Sequence, residues 1–201
     1  MSVEEHIKLF DRIAGIYGLF HQGQMRRYRE IIRENADFMA VETGGKVLDV
    51  GCGTGAFAAA FRELGFEAVG IDGSSRMAVQ AEKNGIPCTV ADATHRLDFD
   101  DGEFDLVIAS YVAHGVMKAE RMCLYREMKR VSRNKVLFQD FSQSERGFSP
   151  LSVIGILERL EGSDYLNFRN NGLEEMEEAF GSVNIVSLNK RGSWYICDAA
   201  Q

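Results

Sequence analysis

Apolar residues along this chain alternate between short continuous runs and longer stretches with helical spacing. The short runs are rich in β-branched side chains, which is typical of strands buried on both faces. They fall at residues 46–50, 67–72, 86–91, 105–110 and 134–141. Apolar positions three and four apart predict helices between these strands. Those helices cover residues 56–64, 75–84 and 118–132. The alternation predicts an α/β fold with a mostly parallel sheet.

The two flanks of this core carry further elements. Residues 4–20 and 25–40 read as two amphipathic helices that precede the first strand. After the fifth strand, helices are predicted from Ser149-Pro150 to Gly162 and from Asn171 to Gly181. Between them, a loop at 161–171 carries Tyr165, Phe168 and Arg169, which suit either a substrate pocket or surface packing. Residues 183–199 read as a β-hairpin turning at 189–192.

Composition narrows the class of protein. The chain has 201 residues, 45% hydrophobic and 26% charged, which fits one globular domain. No apolar run is long enough to span a bilayer, and the first residues lack a signal-peptide core, so we expect a cytoplasmic protein. Cys52, Cys88, Cys123 and Cys197 are far apart in sequence and form no C-x-x-C pair. This spacing favours reduced thiols and no metal site.

Charge argues against a polyanionic partner. The net charge is −7, and the small basic cluster at Arg26, Arg27 and Arg29 is most simply a solvated helix face. We therefore expect no nucleic-acid partner.

The segment 46–58, KVLDVGCGTGAFA, has the strongest chemical pattern in the chain. A strand is followed by Gly51, Gly53 and Gly55 and then by a helical pattern, the arrangement that binds the polar end of a nucleotide-like cofactor at a helix N-terminus. It also satisfies the dinucleotide fingerprint G-x-G-x-x-G/A, with Asp72 about 20 residues on as the ribose carboxylate. Asp49 separates the alternatives, because a carboxylate repels a pyrophosphate but suits an ammonium group.

The same segment carries a family resemblance. VLDVGCGTG resembles motif I of the class I methyltransferases that depend on S-adenosylmethionine (SAM), and the likeness continues through 70–77 and 91–110. The opening FDRIAGIYGLF, at 10–20, is similar to the ubiquinone/menaquinone-biosynthesis C-methyltransferase subgroup. The resemblance is strong across 46–140 and weak in 141–182, where substrate is usually chosen.

This resemblance implies a fold and a domain plan. The fold is a Rossmann-like, seven-stranded, mostly parallel sheet of order 3-2-1-4-5-7-6, with the last strand antiparallel, helices on both faces and an N-terminal helical lid. One methyltransferase domain would then occupy 1–201. Its parts would be a lid at 1–43, a SAM-binding core at 44–140, a helical substrate-side insertion at 141–182 and a C-terminal hairpin at 183–199.

The resemblance also assigns cofactor contacts. The amino-acid end of SAM would lie at Asp49 and the glycines, the ribose at Asp72, and the adenine at Asp92 and the backbone N–H of Ala93. The full predicted set is Tyr17, Asp49, Gly51, Cys52, Gly53, Gly55, Asp72, Gly73, Met77, Asp92, Ala93 and Ser110. Three of these have structural alternatives: Tyr17 as helix packing, Met77 as core and Asp72 as a loop acid or helix cap.

Candidate catalytic residues follow the fourth strand, in SYVAHGV at 110–116. His114 is the residue best able to accept a proton near neutral pH, and Tyr111 supplies a positioning hydroxyl. A histidine that only ends a short helix at the pocket rim is the alternative. Asp140, at the end of the fifth strand, is a second candidate acid. The segment lacks the Asn/Asp-Pro-Pro-aromatic signature of enzymes that methylate DNA bases.

The leading hypothesis is a SAM-dependent methyltransferase that forms S-adenosylhomocysteine and methylates a small molecule, with an aromatic or quinone-like carbon as the expected acceptor. It would act as a monomer or homodimer. Two alternatives stay open: a methyltransferase-like protein that binds SAM without catalysis, and an NAD-dependent oxidoreductase. Asp49, Asp92 and the terminal hairpin disfavour the oxidoreductase.

Overall fold

The computed structural model describes residues 7, 8, 10–12, 14, 18, 20–143 and 164–199. Tyr17 and the predicted helix between Ser149 and Gly162 lie outside these described residues. Within them, no helix combines the length and the apolar character that crossing a membrane requires.

Seven strands form one sheet, and its order is the predicted one, β3-β2-β1-β4-β5-β7-β6. The strands are β1 Lys46–Val50, β2 Glu67–Asp72, β3 Cys88–Val90, β4 Phe104–Ser110, β5 Ser132–Phe141, β6 Val183–Ser187 and β7 Gly192–Asp198. The first five are parallel, whereas β7 runs antiparallel to both β5 and β6. The predicted topology is therefore confirmed, and the carboxyl ends of β1 to β5 meet along one edge of the sheet.

Five helices of the described residues cover both faces of this sheet. They are α1 His21–Glu34, α2 Ala56–Glu63, α3 Ser75–Lys83, α4 Lys118–Val131 and α5 Tyr165–Phe180. Short 3₁₀ turns cover Ala36–Phe38 and Ala113–Gly115. The period-2 alternation of β4 shows how two cores arise, because Val107 packs with α4 and α5 while Ile108 packs with α1 and α2.

Two helix boundaries differ from the sequence prediction. The helix expected at 25–40 spans His21–Glu34 and is followed by a 3₁₀ turn. The helix expected to start at Asn171 begins at Tyr165, so the loop predicted at 161–171 is wrong over its second half, and Tyr165, Phe168 and Arg169 are helical.

Gln143, which follows β5, contacts α5 close to Asn171, where the sequence analysis expected the helix to begin. The Gln143 amide donates to the Phe168 carbonyl at 3.1 Å and accepts from the Leu173 N–H at 2.9 Å. A Cβ on Gly172 would lie 2.6 Å from Gln143 Nε2. The glycine therefore permits a close approach to the helix and does not mark its start.

Candidate functional site

A cavity of about 400 Å³ opens at the carboxyl ends of the parallel strands, where α/β sheets bind their ligands. Its wall contains the residues predicted from β1, β2, β3 and β4 and the loops that follow them. They are Asp49, Gly51, Cys52, Gly53, Asp72, Gly73, Met77, Asp92, Ala93, Ser110, Tyr111 and His114. Segments separated by up to 65 positions in sequence thus converge on one space, which favours a single cofactor and acceptor site.

The glycines after β1 all adopt left-handed backbone conformations, with φ of +67° at Gly51, +54° at Gly53 and +78° at Gly55. Their surroundings differ. A Cβ added at Gly53 meets nothing within 4 Å, since it points into the open cavity. A Cβ at Gly55 would lie 2.9 Å from Ile86 Cγ1. Gly55 is the N-cap of α2 and does not line the cavity.

This difference predicts separate effects of two alanine substitutions. Both Gly53→Ala and Gly55→Ala pay about 1–2 kcal/mol for the left-handed backbone. Gly55→Ala adds overpacking against Ile86 of about 1–3 kcal/mol, so we expect it to lower the free energy of unfolding more. Gly53→Ala should instead lower SAM affinity by about tenfold or more, because its methyl group fills ligand space. Denaturant unfolding and titration calorimetry on both variants measure the two effects, and equal SAM affinity of Gly53→Ala and wild type would contradict the placement of the ligand.

Asp72 links the glycine loop to the next loop. Its Oδ2 accepts from the Gly53 N–H and its Oδ1 from the Ser74 N–H, both at 2.8 Å. Burial raises the pKa of this carboxyl, and the two backbone N–H bonds oppose the shift. A carboxylate braced by backbone donors at a strand end is well placed for a pair of ribose hydroxyls.

Asp49 is almost fully buried at the cavity wall. Its Oδ2 accepts from the Ala58 N–H of α2 at 3.1 Å. Burial raises its pKa to about 8, with a smaller contribution from the nearby negative charge of Asp72. A cationic ligand group at this wall would compensate that buried carboxylate, which is the fit expected for the ammonium group of SAM.

The raised pKa of Asp49 predicts how stability depends on pH. Between the ordinary carboxyl pKa of 3.8 and about 8, the folded protein holds a proton here that the unfolded chain has released. The Asp49 contribution to the free energy of unfolding should therefore fall as pH rises through this window. Asp49→Asn should remove that decline. Urea unfolding of ligand-free wild type and variant from pH 5 to pH 9 tests this, and superimposable pH profiles of the two proteins would show that the carboxyl is not perturbed.

Asp92 closes its own turn at the end of β3. Its Oδ1 accepts from the Thr94 N–H at 2.9 Å and from the Thr94 hydroxyl at 2.7 Å, while Oδ2 lies 3.2 Å from His95 Nδ1. Ala93 lies in the same turn and lines the cavity. The turn fixes both groups expected at the adenine.

His114, which follows β4, and Asp140 of β5 form a buried pair on the other side of β1 from Asp72. His114 Nδ1 lies 2.8 Å from Asp140 Oδ1, and the His114 backbone N–H donates to Oδ2 at 3.3 Å. An ionised carboxylate can only accept, so this contact favours Nδ1 as the donor, and a neutral imidazole with its proton on Nδ1 has its lone pair at Nε2. The two candidates from the sequence thus form one unit that can accept a proton.

Tyr111 lies beside this pair, with its ring centroid 5.3 Å from that of Phe141. Its φ of +56° is unusual for a residue with a side chain. Desolvation, and then the negative charge of Asp140, raises the pKa of the phenol. The hydroxyl therefore stays protonated near neutral pH and suits positioning better than proton removal.

Helix α1, part of the expected lid, adds two residues to the site that the sequence analysis did not assign to it. Tyr28 and Gln24 line the cavity. The Tyr28 hydroxyl lies 2.9 Å from Ser110 Oγ, and its ring stacks on Phe57 at a centroid distance of 4.5 Å. The contacts of Tyr28 with Ser110 and Phe57 join residues 82 and 29 positions apart in sequence, so no local sequence motif predicts them.

The four cysteines are free thiols. Cys52 and Cys88, distant in sequence, lie with their sulfur atoms 3.3 Å apart. In the part of the chain that the structure describes, no group of three or more His, Cys, Asp or Glu side chains has an arrangement that would hold a metal ion.

Comparison with known proteins supports what this geometry suggests. The family model described as "Methyltransferase domain" matches residues 48–138. Demethylmenaquinone methyltransferase of Mycolicibacterium gilvum (strain PYR-GCK) is 32% identical, over 71% of this chain and 63% of its own length. The enzyme of that name from Paenarthrobacter aurescens (strain TC1) is 30% identical, over 69% of this chain and 56% of its own length. The matched part of the chain thus spans little more than half the length of these curated relatives.

Solved structures agree on the fold. A SAM-dependent methyltransferase from Aquifex aeolicus superposes with a TM-score of 0.60 at 18% identity, over 86% of this chain and 89% of its own. Three findings favour a methyltransferase over an NAD-dependent oxidoreductase: the order of the sheet, the glycine loop with its acids, and the names of the relatives. Residues 48–138 are therefore a methyltransferase domain of the class I SAM-dependent type, with SAM as its cofactor, and the chain is similar in sequence to quinone methyltransferases.

Proposed function

We propose that this protein methylates a small molecule at an aromatic, quinol-like carbon or its neighbouring oxygen, with His114 as general base. The observation that carries the proposal is the 2.8 Å contact between His114 Nδ1 and Asp140 Oδ1 in the wall that also holds the glycine loop. A neutral amine or a thiolate needs no base, whereas a phenolic oxygen or the carbon beside it does. The names of the demethylmenaquinone methyltransferase relatives agree with a quinol acceptor.

The cofactor end of the site would be held by the predicted residues. Asp49 would pair with the ammonium group, Asp72 would accept from the ribose hydroxyls, and Asp92 with the backbone N–H of Ala93 would bind the adenine; the support is that all four residues line one cavity. Bound SAM supplies a methyl group that its sulfonium already activates. The protein's remaining tasks are alignment of the acceptor and exclusion of water.

At the acceptor end, the residues would act in sequence. His114 Nε2 takes the proton of the acceptor hydroxyl, and Asp140 stabilises the resulting imidazolium through Nδ1. The electron pair released from the O–H bond delocalises onto the neighbouring ring carbon, which would form the new bond to the methyl group while the S–CH₃ bond breaks and its electron pair stays on the departing S-adenosylhomocysteine. Loss of that carbon's proton to water restores the aromatic ring, and the His114 imidazolium returns its proton to the acceptor oxygen. Tyr111, kept protonated, would donate to an acceptor oxygen and orient the ring.

We also propose that the lid, the core, the insertion and the hairpin have separate roles in the reaction. The core at 44–140 carries the cofactor contacts, and the lid at 1–43 contributes Gln24 and Tyr28 to the cavity. The insertion at 141–182 places α5 beside the His114 turn, where Tyr165 lies 6.4 Å from His114 between ring centroids. The hairpin at 183–199 completes the sheet.

An acceptor screen with methyl-tritiated SAM tests the function. The panel contains hydroquinones with a free ring position, simple phenols, primary amines and thiols, and mass spectrometry with NMR locates the added methyl group. We expect transfer to the hydroquinones, at carbon or oxygen. Transfer to amines or thiols alone would refute the proposed acceptor class. SAM binding with no transfer to any class of acceptor would favour the alternative of a non-catalytic SAM-binding protein.

A further inference from the structure

Arg121 of α4 is a fully buried arginine whose guanidinium bonds to the backbone on both sides of His114. Its Nη1 donates to the Ala113 carbonyl at 3.1 Å and to the Val116 carbonyl at 2.5 Å. These carbonyls bracket the 3₁₀ turn Ala113–Gly115, which is only three residues long. A turn this short has weak hydrogen bonds of its own, so outside partners fix its position.

The rest of the guanidinium binds helix α5. Nε donates to Glu175 Oε2 at 2.7 Å, and Nη2 donates to Asn167 Oδ1 at 2.9 Å and to Asp164 Oδ2 at 3.3 Å. The guanidinium carbon Cζ lies over the Phe168 ring, 5.4 Å from its centroid. One side chain therefore joins the His114 turn to helix α5.

Stability alone does not explain an ion pair at this position. Removing two charges from water costs several kcal/mol per ion, and apolar side chains of similar volume often replace such pairs without loss. An apolar residue does not supply the planar set of N–H donors of a guanidinium, which fixes the two turn carbonyls and the α5 carboxylate at set angles. The arrangement therefore specifies geometry at the turn.

We propose that Arg121 is a positioning residue for His114. By tying the 113–116 turn to α5, it keeps the imidazole on Asp140 and holds the ring in the tautomer with its proton on Nδ1. Helix α5 and His114 then keep a fixed relative position. The catalytic meaning of this rests on the proposed role of His114 as base, whereas the geometric statement does not.

The test reads the His114 ring directly. Two-bond ¹⁵N–¹H spectra of the protein report which ring nitrogen carries the proton, and His114→Gln identifies the signal by its loss. We expect the wild type to be in the Nδ1–H form and Arg121→Lys and Arg121→Met to show a mixture of tautomers. If the Arg121 variants fail to fold, Asn167→Ala is measured instead, because it removes one hydrogen-bond partner of Arg121 and leaves no buried charge without its ion pair. We expect Asn167→Ala to show a mixture of tautomers as well.

Phe180→Leu is the matched control. It weakens the packing of the same helix, since Phe180 is buried against Tyr125 and Phe138, without touching the turn. We expect a lower melting temperature and an unchanged His114 tautomer. An unchanged tautomer in all folded Arg121 and Asn167 variants, or an equal change in Phe180→Leu, would overturn the proposal. Because these spectra need no acceptor, they are independent of the turnover of His114→Asn, which tests the proposed base.

Discussion

Replacing His114 with asparagine is expected to lower kcat by about 10²–10⁴-fold, the usual contribution of a general base, on any acceptor whose hydroxyl must lose a proton. Asparagine keeps a polar side chain at the position but accepts no proton near neutral pH. SAM affinity should change less than about twofold, because His114 follows β4 and pairs with Asp140 of β5, whereas Asp72 ends β2 on the other side of β1. Single-turnover rates and calorimetric titration separate the two effects.

Asp140→Asn should lower the same rate, because an amide at this position no longer stabilises the imidazolium or enforces one tautomer. Asp198→Asn makes the same chemical change in a surface ion pair with Lys135 and should leave the rate unchanged. Wild-type turnover by His114→Asn on a hydroquinone would remove this residue from the role of base, whatever the effect of Asp140→Asn.

Replacing Asp72 with alanine is expected to weaken SAM binding by about 10- to 100-fold, the range of one charge-assisted hydrogen bond, about 1.5–3 kcal/mol. The carboxylate faces the cavity while it accepts from Gly53 and Ser74, so its loss removes a ribose partner and loosens the glycine loop. Titration calorimetry with SAM and with S-adenosylhomocysteine measures the change. NAD serves as the negative ligand, and we expect no binding to wild type.

A matched aspartate stands at the opposite edge of the sheet. Asp105 also accepts a backbone N–H, from Lys46 at 2.9 Å, and pairs with Arg133 at 2.7 Å. Asp105→Ala should therefore leave SAM affinity unchanged although it loses comparable bonds. If Asp72→Ala binds SAM as tightly as Asp105→Ala does, the ribose does not lie at Asp72.

Much of the fold was predictable because buried strands and amphipathic helices leave strong local patterns. The order of the sheet followed from the family resemblance, not from the periodicity alone. The start of α5 was missed because Asn171, with Glu174 three residues later, has the spacing of a helix N-cap and its N3 partner. Both lie inside α5, whose backbone at Phe168 and Leu173 bonds to Gln143, 25 and 30 positions earlier. Sequence windows do not contain such a partner.

The functional site, like the fold, has a part that local sequence motifs predict and a part that they do not. The cofactor acids and glycines stand in contiguous motifs, so their convergence was expected, as was the nomination of His114 and Asp140 as separate candidates. Packing between segments distant in sequence produces the rest: the pairing of His114 with Asp140, the contact of Tyr28 with Ser110 and the buried hydrogen bonds of Arg121. Arg121 in particular lies in a helix with many charged residues, where an arginine is most simply read as solvent-exposed.

The position of β7 also determines what an optical signal from this protein reports. Trp194 is the chain's one tryptophan; it is fully buried in β7 and donates from Nε1 to Gln139 Oε1 at 3.0 Å. Because β7 inserts between β5 and β6, this environment forms only when the end of the chain has joined a sheet whose other strands precede it. Tryptophan fluorescence during refolding should therefore follow the pairing of β7 with β5 and β6.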